Sequence, residues 1–184
     1  MGIFIISGKS GHGKDTFANI IKEKLNNVGC NVMIIHYGDL VKYYLKQYYN
    51  WDGEKDEAGR KLLQTLGTDI VRNYDPNYWT EVVARFIAAV KNDWDCILIP
   101  DARFINEVEL TKYYCPEAKT IRIERYNDDN SLYLNPALTE KQHKHPSETN
   151  LDDYEDFDYY VQNIGLEELK ESADVILQDT GLLV

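Results

Sequence analysis

Gly8, Gly13 and Lys14 stand at the spacing G-x-x-x-x-G-K, and Asp15 and Thr16 follow at once. Glycines let a loop take positive φ and bring its backbone close to a ligand. The N–H groups of such a loop point inward and cradle an anion. A helix beginning there adds free N–H groups and the positive end of its dipole. A lysine closing the loop reaches the β- and γ-phosphates of a nucleotide as a point charge. Residues 8–16 therefore read as a phosphate-binding loop, with Gly8, Ser10, Gly11, His12, Gly13, Lys14, Asp15 and Thr16 as its binding residues. The plainer alternative is a glycine turn with a surface lysine. Position 15 departs from the usual pattern, in which Ser or Thr gives an oxygen to Mg²⁺. A carboxylate is a hard oxygen donor that suits this ion. Asp15 is thus expected on the metal side, with Thr16 as the other choice. Without a cation beside it, Asp15 would repel the phosphates.

Such a loop needs a strand before it and a helix after it. Ile3 to Ile6 is an apolar run that reads as a buried parallel strand. Phe17, Ile20, Ile21, Leu25 and Val28 mark one helical face, and Gly29 is a natural stop. Val32 to His36 reads as a second strand, and Asp39 as the N-cap of a helix through Leu40, Val41, Tyr44, Leu45 and Tyr48. After a polar loop, a helix with Leu62, Leu63, Leu66, Ile70 and Val71 runs to Asp75-Pro76. Another carries Trp79, Val82, Val83, Phe86, Ile87 and Val90. Cys96 to Asp101 is a third strand, Phe104 to Tyr114 a helix, Ala118 to Glu124 a fourth strand and Tyr159 to Val161 a fifth. Leu166, Leu169, Ala173 and Ile176 mark a last helix. Residues 125–150 are polar and irregular, and a loop that long is usually functional or mobile.

Strands alternating with helices give an α/β domain with a parallel sheet. Ligands in such sheets sit outside the carboxyl ends of the strands. That edge collects the loop, Asp39, Asp101, Arg103 and Arg125. An acid like Asp101, at the end of a buried strand, holds Mg²⁺ or caps the next helix. Arg103 forks onto a phosphate or pairs with Glu107 one turn on. Arg72 clamps a phosphate or complements its own helix dipole.

The 184 residues fit one domain with a full core. A net charge of −11 argues against nucleic-acid or anionic-membrane binding, which needs a basic footprint. The three cysteines, Cys30, Cys96 and Cys115, contain no C-x-x-C and suit a reduced, cytoplasmic protein. No membrane span or signal-peptide pattern is evident.

Gly-x-x-x-x-Gly-Lys-Asp-Thr at 8–16 resembles the loop of the phage deoxynucleoside monophosphate kinases. So do Gln64-Thr-Leu-Gly-Thr-Asp69 with Arg72 and Trp79, and Asp101-Ala-Arg103-Phe-Ile-Asn106-Glu107. His145-Pro-Ser147-Glu148 and Asp158-Tyr-Tyr-Val-Gln-Asn163-Ile-Gly165 are also similar, in family order. The resemblance implies a P-loop nucleoside monophosphate kinase fold, with a five-stranded parallel sheet flanked by helices. It implies a core of 1–37, 93–124 and 158–184, an acceptor-binding helical region at 38–92 and a lid at 125–150. It implies Mg²⁺-dependent transfer from ATP to a (deoxy)nucleoside monophosphate, in the host cytoplasm if phage-encoded. Lys14, Arg103 and Arg125 would be catalytic, and Asp15, Thr16 and Asp101 would hold the metal. Asp39, Arg72, Trp79 and Arg103 would bind the acceptor, and Asn163 would border the adenine. His143 and His145 are not needed as a base, because transfer between phosphates requires none. The alternatives are a kinase of another phosphorylated small molecule, such as phosphomevalonate, and a non-catalytic ATP-binding regulator. The base, the sugar and the oligomeric state, a homodimer included, stay open.

Overall fold

The computed structural model describes residues 1–183. Its centre is a five-stranded parallel sheet in the order β2-β3-β1-β4-β5. The strands are β1 (Gly2–Ser7), β2 (Val32–Ile34), β3 (Cys96–Ala102), β4 (Lys119–Arg125) and β5 (Tyr159–Asn163). The helices are α1 (Lys14–Asn27), α2 (Asp39–Tyr48), α3 (Glu57–Gln64), α4 (Val71–Tyr74), α5 (Tyr78–Val90), α6 (Ile105–Tyr114), α7 (Glu140–His143), α8 (Pro146–Thr149) and α9 (Leu166–Asp179). A π-helical segment, Thr65–Ile70, joins α3 to α4.

Both faces of the sheet are covered, which is why β1 and the first half of β3 read as unbroken apolar runs. Phe4, Ile6, Leu98, Ile121 and Ile123 pack with Phe17, Ile21 and Leu25 of α1 and with Leu169, Ala173, Ile176 and Leu177 of α9. Ile3, Ile5, Ile97 and Ile99 pack on the other face with Val83, Ile87 and Val108. A third cluster, Val41, Leu45, Trp51, Leu66 and Trp79, gives the helical stretch after β2 its own small core.

Several sequence expectations are corrected at the surface. Val28 lies just beyond α1 and is 59% exposed, because the chain already turns toward Gly29 (φ 85°). Ile70, Val82 and Phe86 share helical spacing with core residues but are exposed. Residues 125–150 are not structureless. Tyr126 bridges Leu132, α7 and α8 follow, and Arg125 is the last residue of β4 rather than the start of a loop. The three cysteines are free, and burial pushes the Cys96 thiol up to about 12, which keeps it inert.

β5 is tied to β4 by Asp158. Its Oδ2 accepts from the N–H and the hydroxyl of Thr120, both at 2.8 Å, while Lys112 and Lys119 donate at 3.1 and 3.0 Å. Burial pushes this carboxyl up, but those partners together hold it well below the usual carboxylate range. The unfolded chain therefore binds its proton more readily than the fold does. The stabilisation is complete above the ordinary carboxylate pKa of about 4 and is lost as the pH falls below it. Asp158→Asn should lower stability at neutral pH by about 1–3 kcal/mol and flatten its acid dependence, read by urea unfolding at neutral and acid pH.

Candidate active site

The phosphate loop leaves β1 at Ser7 and enters α1 at Lys14. Gly13 has φ 96°, and a Cβ there would stand 2.6 Å from Nδ2 of Asn163. A Cβ on Gly8 would stand 2.5 Å from the carbonyl oxygen of Ile123. Gly8 is thus required by the close approach of the β4 backbone, and Gly13 by its positive φ. Among the described residues, the N–H groups of Gly13, Lys14, Asp15 and Thr16 donate to no protein acceptor. That is the open donor set an anion at a helix start uses.

Lys14 is 7% exposed, and its ammonium folds back on the carbonyls of Gly8 (2.7 Å) and Lys9 (3.0 Å). Burial, with the charge of Arg103, pulls its pKa down to about 7. His12 is fully buried, with one ring nitrogen 3.2 Å from the Ile123 carbonyl and the other 3.0 Å from that of Tyr133. It therefore ties the loop to the segment after β4. Asn163 donates to the His12 carbonyl at 2.9 Å, so its amide braces the loop.

Two cavities meet at this loop. One, of about 750 Å³, is lined by Gly13, Thr16, Arg125, Tyr133, Asn163 and Gly165 among others. The other, of about 320 Å³, is lined by His36, Gln64, Arg72, Trp79, Asp101 and Arg103 among others. Gly11, Lys14 and Asp15 line both.

In the larger cavity Arg125 is exposed, its guanidinium 4.3 Å from the centre of the Tyr133 ring. In the smaller one, Arg103 donates through Nη1 to Oε1 of Glu148 at 2.7 Å and not to Glu107 as its sequence spacing suggested. Glu107 is 2% exposed and is held instead by Arg72, 35 residues away in sequence, and by the N–H groups of Arg103 (2.5 Å) and Phe104 (3.0 Å). Burial raises the Glu107 carboxyl to about 7 against the pull of Arg72. Arg72 also lies 4.0 Å over the Phe104 ring. Its guanidinium thus reaches the cavity already braced. Trp79 offers only its ring to the cavity, because its indole N–H donates to the Gly67 carbonyl at 2.9 Å.

Asp101 accepts from the N–H of Tyr37 (2.9 Å) and of Gly38 (3.0 Å). It therefore caps the turn before α2, not the helix that follows it. Asp39 departs from the capping role read from the sequence. Gly38, not Asp39, is the N-cap of α2, and Asp39 lines neither cavity. Its carboxylate accepts from the His36 N–H and from Lys42, both at 2.9 Å.

Sequence reasoning missed His36 and Glu148. His36 lies between Asp15 (3.4 Å) and Asp39 (3.3 Å). Burial pulls its pKa down, but both carboxylates and the charge of Asp101 raise it to about 9. The protein thus sets its own cation beside Asp15. The available signal was the position of His36, just past a parallel strand at the ligand edge.

Sheet and loop together define a P-loop kinase fold. A sugar kinase from a Janibacter species superposes with a TM-score of 0.64 at 12% identity, covering 100% of this chain and 99% of that one. An APS kinase from Mycobacterium tuberculosis, in complex with AMPPNP and APS, gives 0.56 at 13% identity over 98% and 97%. A shikimate kinase from Bacteroides thetaiotaomicron gives 0.52 at 14% over 98% of each chain. Residues 35–173 match the model of the deoxynucleotide monophosphate kinase family, and the chain belongs to that family. Among the described residues, no helix is long and apolar enough to cross a membrane.

Proposed function

We propose that the protein transfers the γ-phosphoryl group of ATP to a (deoxy)nucleoside monophosphate, giving the diphosphate, with Mg²⁺. The observation that carries this is the pair of cavities meeting at Lys14 and Asp15, one edged by Arg125 and the other by Arg72 and Arg103. A donor and an acceptor held on either side of one lysine have their phosphates facing. Transfer between phosphates asks the protein for positioning and charge neutralisation rather than for a base.

The donor lies in the larger cavity, its phosphates on the free amides of residues 13–16. Lys14 turns from the loop carbonyls to these phosphates. Arg103 and Arg72 hold the acceptor phosphate, and Arg125 covers the transferring group. The 125–150 segment lies over the loop through Tyr133, Asn135 and Glu148 and acts as a lid that excludes water. In the acceptor cavity, Gln64 and Thr68 side chains have no partner among the described residues. A polar wall of that kind suits the hydrogen-bonding edge of a base.

The residues fit Mg²⁺. Among the described residues no three His, Cys, Asp or Glu side chains cluster as a metal cage. Mg²⁺ is commonly held by one or two protein oxygens together with substrate phosphates. Asp15, Thr16 and Asp101 are the oxygens at hand, and bound Mg²⁺ would neutralise charge on the donor phosphates. Asp15→Ala should raise the Mg²⁺ needed for half-maximal turnover several-fold, with Asp15→Ser intermediate. If both titrate like the parent and Thr16→Ala does not, the ligand is Thr16. The function itself is tested by ADP release with each common NMP and dNMP, with phosphomevalonate, and without acceptor. Release that ignores every acceptor would mark hydrolysis, and no release with any acceptor would favour the non-catalytic reading.

A further inference from the structure

α8 lies in the segment that covers the loop, and its residues make dense polar contacts there. The Glu148 side chain is 8% exposed. Its Oε2 accepts from the Ser10 N–H at 2.9 Å, and its Oε1 accepts from Arg103 Nη1 at 2.7 Å. The backbone repeats both attachments: the Ser147 carbonyl accepts from Arg103 Nη1 (3.3 Å), and the Glu148 carbonyl from Lys9 Nζ (3.0 Å). Lys9 also reaches Asp152 at 2.6 Å. On the acceptor side, His145 accepts from the Ser147 N–H at 3.2 Å and turns its other ring nitrogen to Asp69, 3.6 Å away on the π-helical segment.

We infer that Glu148 is a positioning residue for the transfer reaction, fixing the Arg103 guanidinium against the phosphate loop so that its free edge faces the acceptor phosphate. The inference rests on the proposed role of Arg103. Only Nη1 of Arg103 is spent on protein acceptors among the described residues. Nε and Nη2 remain, and together they form the parallel fork that matches two phosphate oxygens. An arginine without Glu148 would sample many rotamers, and ordering it on binding would cost affinity and alignment. One carboxylate therefore spans the loop amide and the arginine and fixes their relative position.

The test is a double-mutant cycle on Glu148→Gln and Arg103→Lys, with dGMP and dTMP as the purine and pyrimidine acceptors. Glutamine keeps the shape and an oxygen for Ser10 but loses the charge that orients Arg103. Glu148→Gln should lower kcat/KM for the acceptor about tenfold, with ATP affinity and the unfolding midpoint near those of the parent. The double variant should be no worse than Arg103→Lys alone. Glu148→Asp, charged but shorter, enters the same cycle as a second variant. Fully additive losses would overturn the inference. So would a common fall in acceptor use, ATP binding and stability, which marks a structural role. Faster turnover in Glu148→Gln would also overturn it, by showing that the carboxylate competes with substrate for the loop. If Arg103→Lys alone leaves acceptor use unchanged, the role of Arg103 fails first, and the inference falls with it.

Discussion

Lys14→Ala should lose at least a hundredfold in phosphoryl transfer while remaining folded. Lys14 brings a positive charge to the place where the two cavities join, while Lys9, the other lysine of the loop, lines neither cavity and is paired with Asp152. Losing one preorganised charge from a water-poor site costs about 3 kcal/mol or more of transition-state stabilisation. Without ligand, the ammonium is buried and held by the carbonyls of Gly8 and Lys9. Its pKa near 7 marks burial as unfavourable to the charge. Removing it therefore relieves an electrostatic cost in the free protein, so the unfolding midpoint should not collapse. Turnover and thermal unfolding measured on one preparation separate the two effects. Near-normal turnover in a folded Lys14→Ala protein would defeat the kinase reading.

Arg103→Lys should reduce kcat/KM for the acceptor by tens-fold and leave ATP affinity nearly unchanged. The substitution keeps the charge and removes the planar fork. A lysine ammonium that pairs with Glu148, as Nη1 does now, has no second edge to offer the phosphate. The loss belongs to the acceptor because Arg103 lines the smaller cavity and not the larger one. Steady-state kinetics with each substrate varied in turn give the split. An unchanged acceptor kcat/KM with weakened ATP binding would move Arg103 to the donor side.

The parts of the fold legible in the sequence share one physical cause. Ile3–Ile6 and Cys96–Ile99 are buried from both faces, so their apolar character is continuous and hard to misread. The phosphate loop was legible because the β4 backbone demands glycine at position 8 and a positive φ demands it at position 13. Side-chain partnerships across the site were not. Local spacing paired Arg103 with Glu107, but the chain brings Arg72 to Glu107 and Glu148 to Arg103. No helical or strand period records such contacts. The π-helical segment was hidden for a related reason: one widened turn within α3–α4 shifts the apolar spacing too little to show. Asp39 looked like a cap because capping residues are defined by type. Gly38 took the position once Asp101 reached across from β3 to the turn. His36, which arrives beside Asp15 from the neighbouring strand end, likewise left no trace in the local spacing.

Following the labelled γ-phosphoryl group of ATP tests the two-cavity reading most directly. The protein is incubated with Mg²⁺, labelled ATP and each NMP, each dNMP or phosphomevalonate in turn, and the products are separated. Label should appear in the diphosphate of one or more of these acceptors, and ADP should accumulate in step with it. Label that reaches only inorganic phosphate, reaches only phosphomevalonate, or stays on ATP with every acceptor would contradict it.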